Sequence, residues 1–243
     1  MNEDRKDYLD SGRRFVLGQT LSSRLESDFF NLYAWFLRFV SGKKVLDAAC
    51  GSGLGSFLMA HKAREVLAID LSRESIDFAK LHYHLDNLQF IVSDVLNYNL
   101  PAEEFDVIIC SLILEQIEIS KQKAFLTRLR ESLKKEGLMI LVTPNKRVTS
   151  PSSVVGHQWN KKEFYQQELH EFLRQVGYKI VGWYGQRMVF KLYTNFFVRK
   201  MISLAQRLLK KKFGFYGRRE SPQVSPLKFY LEPKEFVVLL TKN

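Results

Sequence analysis

The sequence predicts an α/β fold: a doubly wound, seven-stranded, mostly parallel sheet whose last strand runs antiparallel. Three observations carry that expectation. Short apolar runs alternate with amphipathic segments along most of the chain, the pattern of strand–helix–strand units that build a parallel sheet. An acidic residue stands at or near the end of each of the first three runs, at Asp47, Asp70 and Asp94. A glycine-rich turn, Cys50-Gly51-Ser52-Gly53-Leu54-Gly55, follows the first run, and sheets of this kind bind ligands at the carboxyl ends of their strands.

Taken in order, residues 1–21 are polar and without a clear period, and read as an N-terminal arm. Leu25, Phe29, Leu32, Tyr33, Phe36, Leu37 and Val40 recur at helical spacing, predicting a helix over 22–40 that Ser41-Gly42 ends. The first strand covers 45–49, and a helix starts near Ser56. The turn between them calls for glycine on two grounds: a sharp reversal needs φ > 0, and a ligand touches backbone only where no Cβ intervenes. The second strand, 65–69, ends in Asp70, nineteen residues after Gly51. At that distance a nucleotide-type fold places a carboxylate on a ribose diol. Ser72 is the expected N-cap of the next helix, with Glu74 in its first turn favouring the positive end of the dipole. The third strand, 88–92, leads to Asp94, and the fourth, 106–110, opens onto a loop over 111–117 that holds Glu115. A helix over 121–134, a turn at 135–137 and a fifth strand over 138–142 follow. Residues 146–160 are rich in Ser, carry Pro151 and His157, and read as a loop over the pocket. A helix over 161–175 and a sixth strand over 177–184 come next, and the seventh strand is expected at 235–240.

Between those last two strands, residues 187–232 form an insertion where a short hairpin would suffice. The formal net charge is +11, and it is concentrated here: residues 187–219 hold ten basic residues and no acid, leaving 27 basic against 26 acidic residues elsewhere. Phe197, Met201, Leu204 and Leu208 line one side of a predicted basic helix, with Arg199, Ser203, Gln206 and Lys210 on another. Such a helix suits an anionic membrane surface (over 196–213), a nucleic-acid backbone, the mouth of the cleft, or its own domain with a solvated basic face. Apolar residues at 46% and charged residues at 26% fit a single soluble domain spanning 1–243. Cys50 and Cys110, at strand ends, read as core residues and not as a disulfide or metal pair. No apolar run reaches the ~18 residues of a spanning helix, and residues 1–5 are no signal peptide. The expected location is the cytoplasm, with peripheral contact at a membrane surface through the basic helix.

The glycines run G-x-G-x-G, not the dinucleotide G-x-G-x-x-G, whose third Gly would fall at Ser56. Asp47, just upstream, suits a cationic ligand better than a pyrophosphate. A sulfonium bearing an α-amino group meets both conditions. On these residues the chain resembles the class I S-adenosylmethionine-dependent methyltransferases, whose first motif reads V-L-D-x-x-C-G-x-G-x-G; here it is Val45-Leu46-Asp47-Ala48-Ala49-Cys50-Gly51-Ser52-Gly53-Leu54-Gly55. The resemblance implies a Rossmann-like methyltransferase fold and S-adenosyl-L-methionine as cofactor. It also implies a cofactor site formed by Asp47, Gly51, Gly53, Gly55, Asp70, Leu71, Asp94, Val95 and Ser111, with Asp94 on the adenine amino group. Tyr33 on the lead-in helix is either an aromatic that approaches the cofactor or ordinary core.

From about residue 24 to 186, and over the last strand, the chain is similar to small-molecule methyltransferases related to the ubiquinone-biosynthesis O-methyltransferases. In that group the strand-four loop often reads Glu-His, and a His shortly precedes the helix after strand five. This chain has Glu115-Gln116 and keeps His157. An amide is no base at neutral pH and a poor metal ligand. The two acids and two His of the metal site in small-RNA 2′-O-methyltransferases of similar layout are not supplied, so metal-independent chemistry is expected. His157 is then the candidate base, or a loop His bonded to backbone, and Glu115 orients it or the acceptor. His61, His82, His84 and His170 read as helix-surface residues. The leading expectation is O-methylation of a small molecule, a sugar or a lipid-linked intermediate. Alternatives are an RNA methyltransferase contacting phosphates through 187–219, or a non-catalytic partner subunit that keeps the fold. Ser111-Leu112-Ile113-Leu114 is not the Asn-Pro-Pro-Tyr type of strand-four end that serves base nitrogens, which speaks against base N-methylation. Neither the acceptor nor the oligomeric state is specified by these motifs.

Overall fold

A computed structural model describes residues 23–150, 159–190, 200–201, 223–228 and 231–242. In chain order the elements are α1 (Ser23–Phe36), β1 (Lys44–Ala48), α2 (Leu54–Ala60), β2 (Glu65–Asp70), α3 (Arg73–His82), β3 (Leu88–Val92), β4 (Phe105–Ser111), a 3-10 turn (Leu114–Gln116), α4 (Ile119–Ser132), β5 (Leu133–Pro144), α5 (Lys146–Thr149), α6 (Gln166–Val176), β6 (Tyr178–Phe190), β7 (Ser225–Pro226) and β8 (Leu231–Lys242). The strands form one sheet in the order β3-β2-β1-β4-β5-β8-β6-β7. β1 to β5 pair in parallel, and β8 lies antiparallel between β5 and β6.

Side-chain alternation sorts the core onto the two faces of this sheet. Leu46, Ala48, Ile108, Cys110 and Leu141 pack with Phe125, Leu126 and Leu129 of α4 and Leu169 and Leu173 of α6. Val45, Val107, Ile109 and Val142 pack on the other face with Leu32, Tyr33, Trp35 and Phe36 of α1 and Met59 of α2. Both faces are therefore covered, which is why the central strands are continuous apolar runs. Cys50 and Cys110 are buried free thiols, as core residues should be.

Several boundaries differ from the sequence expectation, each for a local reason. Among the described residues there are eight strands and not seven, because Ser225–Pro226 pairs with Tyr184 and Gly185 on the outer edge. β5 starts at Leu133: Phe105 faces Leu133 and Val107 faces Leu138, so the expected turn at 135–137 is a bulge inside the strand. Leu133 is fully buried, and Lys134 Nζ bonds Asp106 Oδ1 at 2.8 Å, which holds the start of that bulge to the sheet. α1 stops at Phe36, and residues 37–39 continue as turns. α6 begins at Gln166, because Phe164 is drawn into a bridge with Asn145 instead of a helical turn. Ser72 caps α3 as expected, its Oγ accepting from Ser75 N at 3.2 Å.

The arm over 1–21, the loop residue His157 and most of the basic helix over 196–213 lie outside the described residues; Lys200 and Met201 are helical and exposed. Arg187, counted with the basic segment, is not on a solvated face. Its side chain is 6% exposed and pairs with Asp28 of α1. Among the described residues no helix is long and apolar enough to cross a membrane.

Candidate active site

The carboxyl ends of β1, β2, β3 and β4 bring the expected residues to one edge of the sheet. After β1 the chain turns sharply, with φ of +75° at Ala49, +57° at Gly51 and +84° at Gly53. The amides of Ala49 and Cys50 both donate to Ile69 O, at 2.8 and 3.0 Å, folding the turn back over β2. A Cβ on Gly53 would lie 2.6 Å from Ala79 Cβ and 2.7 Å from the Phe90 ring, and one on Gly55 would overlap the Tyr33 ring. These two glycines are thus required by α3, β3 and α1 packing onto the loop. Gly51 is the one that remains half-buried, with its amide engaged by Asp70.

Asp70 ties the loop together. Its Oδ2 accepts from Gly51 N at 2.8 Å and its Oδ1 from Ser72 N at 2.9 Å. Each carboxylate oxygen has a second lone-pair direction, so the pair can still accept two hydroxyls, the geometry a vicinal diol asks for. Asp47, 1% exposed, lies on the α1 side of β1, where the Ser56 hydroxyl donates to its Oδ2 at 2.6 Å. Burial pushes its carboxyl up to about 7; the Ser56 bond holds it down, and the Asp70 charge pushes it further up. A cation placed beside a carboxylate with that balance would offset the burial cost. Tyr33 stands beside it. Burial first, then the charges of Asp47 and Cys50, push its phenol well above the usual value, so it is a neutral hydroxyl at physiological pH.

Asp94 closes a turn after β3, with Oδ1 accepting from Leu96 N at 2.9 Å and Oδ2 from Asn97 Nδ2 at 3.3 Å. Leu71, next to Asp70, is 73% exposed and offers an apolar surface at the strand ends, whereas the Val95 side chain packs into the core. Ser111 is half-buried at the end of β4. The turn that follows places Glu115 fully inside (0% exposed), with Thr143 Oγ1 donating to its Oε2 at 3.2 Å. Its backbone oxygen accepts from Lys161 N at 2.7 Å and Lys162 N at 3.2 Å. Glu115 therefore joins the loop after β4 to the segment after 151–158. Gln116 Nε2 donates to Leu112 O, so the amide at this position closes its own loop. His61 and His82 sit on helix surfaces, each Nδ1 beside a carbonyl one turn earlier. His84 is exposed beyond the end of α3, and His170 stacks on Trp183.

Three residues of this region escaped the sequence reading. Ser56 registered as the helix start and the missing third glycine, yet it also holds Asp47. Glu163 is buried and receives Ser150 Oγ at 2.6 Å, Thr149 Oγ1 and Asn160 Nδ2, clasping both sides of 151–158. Asn145, at the end of β5, donates to Glu232 Oε2 at 3.1 Å and Pro233 O at 2.9 Å. Asn160 read as the end of a loop and Lys161-Lys162-Glu163 as the polar start of the helix over 161–175, with no periodicity to mark Glu163 as interior. Among the described residues no group of three or more His, Cys, Asp or Glu side chains is placed to hold a metal ion.

Comparison with known proteins bears on this edge of the sheet. The family profile described as "Methyltransferase domain" matches residues 39–177. The chain is 39% identical over 108 residues to the mitochondrial ubiquinone biosynthesis O-methyltransferase of Schizosaccharomyces pombe, covering 42% of this chain and 38% of that protein. It is 36% identical over 121 residues to the ubiquinone biosynthesis O-methyltransferase of Cereibacter sphaeroides, covering 49% and 48%. The chain thus spans less than half the length of these curated relatives. Among solved structures, a SAM-dependent methyltransferase from Archaeoglobus fulgidus superposes with a TM-score of 0.61 at 18% identity, over 91% of this chain and 95% of that one.

Proposed function

The chain belongs to the class I S-adenosylmethionine-dependent methyltransferase family, and from that premise we propose that it methylates an oxygen of a small amphiphilic acceptor. The observation that carries the cofactor part of the proposal is the packing of two buried carboxylates, Asp47 and Asp70, around one glycine turn. The donor set fits the cofactor. Asp70 would take the ribose diol, Asp47 the α-amino group, Leu71 and Asp94 the face and edge of the adenine, and the Gly51–Gly55 backbone with Ser111 the remainder. When bound, S-adenosylmethionine supplies a methyl group on an already activated leaving group. The protein's own work is then to align the acceptor, exclude water and accept one proton.

Asp47 gives this site a pH dependence. Its folded-state value lies above the ordinary carboxylate range, so ionising it opposes folding, and stability falls as pH rises towards about 7. Affinity for a cationic amino group runs the other way, because only the ionised carboxylate attracts it. Binding of S-adenosylhomocysteine should strengthen by about tenfold per pH unit below pH 7 and level off above it. Calorimetry between pH 5 and pH 8 checks this, and Asp47→Asn should remove the slope.

On the acceptor side, His157 is the base we propose and Glu115 the group that orients its loop, through the contacts of its backbone oxygen with Lys161 and Lys162. The match to ubiquinone O-methyltransferases supports an oxygen acceptor with an apolar portion. The basic segment 196–213 then serves to dock the enzyme at an anionic lipid surface. The test is methyl transfer to a panel of phenols, lipid-linked sugars and short RNAs, with lipidic acceptors presented in anionic vesicles or in neutral detergent. An acceptor methylated faster on anionic vesicles, slowed at least a hundredfold by His157→Ala and reduced to the detergent rate by deletion of 196–213, is the expected result. Turnover on RNA alone, or unchanged turnover in His157→Ala, would overturn this reading.

A further inference from the structure

Asp28 and Arg187 form the most enclosed ion pair among the described residues, and neither belongs to the strand ends described above. Arg187 Nε lies 2.5 and 2.6 Å from the two Asp28 carboxylate oxygens, with the side chains 6% and 18% exposed. The preceding residue reaches the same place, Gln186 Nε2 donating to the Asp28 backbone oxygen at 2.8 Å. Successive side chains of a regular strand point to opposite faces. Here two neighbours on β6 grip one residue of α1, and Arg187 sits at φ +52°, a left-handed conformation a non-glycine residue seldom adopts. Such conformations persist where surrounding contacts over-determine them, and here those contacts include the grip on α1.

What α1 does next makes the grip informative. Phe29, adjacent to Asp28, packs on Tyr33 with ring centroids 4.4 Å apart. Tyr33 in turn lies against the α-carbon of Gly55, beside Asp47. One short stretch of helix therefore connects β6 to the glycine turn: Arg187 and Gln186 to Asp28, Phe29 to Tyr33, Tyr33 to Gly55.

We propose that Arg187 is a positioning residue for the cofactor site, holding α1 through Asp28 so that the Tyr33 ring closes the glycine turn beside Asp47. The proposal rests on the reading of that turn as the cofactor site. It assigns to a basic residue of the 187–219 segment a role unrelated to membrane or phosphate, and it makes cofactor affinity depend on a contact between residues far apart in the chain.

The test removes both charges together, since removing one would strand the other in a poorly solvated place. Asp28→Asn/Arg187→Gln is compared with wild type, with the charge-reversed pair Asp28→Arg/Arg187→Asp, and with Lys134→Met. The last loses a remote ion pair to Asp106 at the opposite end of β4 and serves as a control for stability alone. Melting temperature, S-adenosylhomocysteine Kd, and KM and kcat for S-adenosylmethionine are read for each. The neutral pair should raise the Kd and the KM by about tenfold with kcat within about twofold of wild type, and the reversed pair should recover most of that affinity. Lys134→Met should lower the melting temperature without moving Kd. A neutral pair that melts lower but binds as tightly as wild type makes the contact merely structural and overturns the proposal. Wild type that does not bind S-adenosylhomocysteine would sink the cofactor-site reading itself, and this proposal with it.

Discussion

Replacing Asp70 by Ala is expected to weaken S-adenosylhomocysteine binding by at least about a hundredfold. Two losses combine. Hydrogen bonds to a charged group contribute about 1.5–3 kcal/mol each, and a diol makes two of them, so about 3–6 kcal/mol of binding free energy rests on this carboxylate. At about 1.4 kcal/mol per factor of ten, that is a loss of about two to four orders of magnitude. The second loss is in the site's own shape. Asp70 also receives the Gly51 and Ser72 amides, so its removal frees both the glycine turn and the lead into α3. Asp70→Asn should fall between, because an amide keeps one acceptor oxygen and offers a donor where the other was. Calorimetric titration of each variant, with circular dichroism as a check on folding, measures the effect. A Kd within about threefold of wild type for Asp70→Ala would remove this residue from the site.

Gly53→Ala carries a large expected loss of stability, because strain and a clash fall on the same residue. The backbone stands at φ +84°, and the new Cβ would meet Ala79 Cβ at 2.6 Å and the Phe90 ring at 2.7 Å. Left-handed strain costs about 1–2 kcal/mol, and overpacking a filled core adds about 1–3 kcal/mol. A total of about 2–5 kcal/mol corresponds to a fall of about 4–20 °C in melting temperature for a domain of this size. Gly42→Ala is the internal comparison. It has φ +68° but nothing within 4 Å of the added atom, so it should cost only the strain. Equal melting temperatures for the two variants would show that the contacts with Ala79 and Phe90 are not what requires glycine at 53.

The parallel half of the sheet was legible because three features coincided in register. Buried strands were apolar on both faces, helices between them carried one apolar side, and acids marked the strand ends. The glycine turn was legible too, though for a partly different reason: Gly53 and Gly55 answer to Phe90 and Tyr33 as much as to any ligand. What sequence could not show was pairing at a distance. Arg187 read as one more member of a basic run, because its partner Asp28 is 159 residues away. The bulge in β5 was hidden since Lys134 to Gly137 has the composition of a turn, and its anchor, Asp106, lies on the neighbouring strand. β7 is two residues long, too short for any alternation to register. Glu115 read as a residue facing the cleft; what sequence could not show is that Thr143 donates to its buried side chain and that its backbone oxygen accepts from Lys161 and Lys162.

The central claim is that the edge of the sheet carrying Asp47, Gly51–Gly55 and Asp70 is a cofactor site for S-adenosylmethionine. Isothermal calorimetry of the purified full chain with S-adenosylmethionine and S-adenosylhomocysteine, at a pH above 7 where Asp47 is ionised, tests it most directly. The expected result is saturable one-site binding of both molecules, lost in Asp70→Ala. No heat of binding from a protein that melts cooperatively would contradict it, and would leave the glycine turn as a packing device for Tyr33 and Phe90.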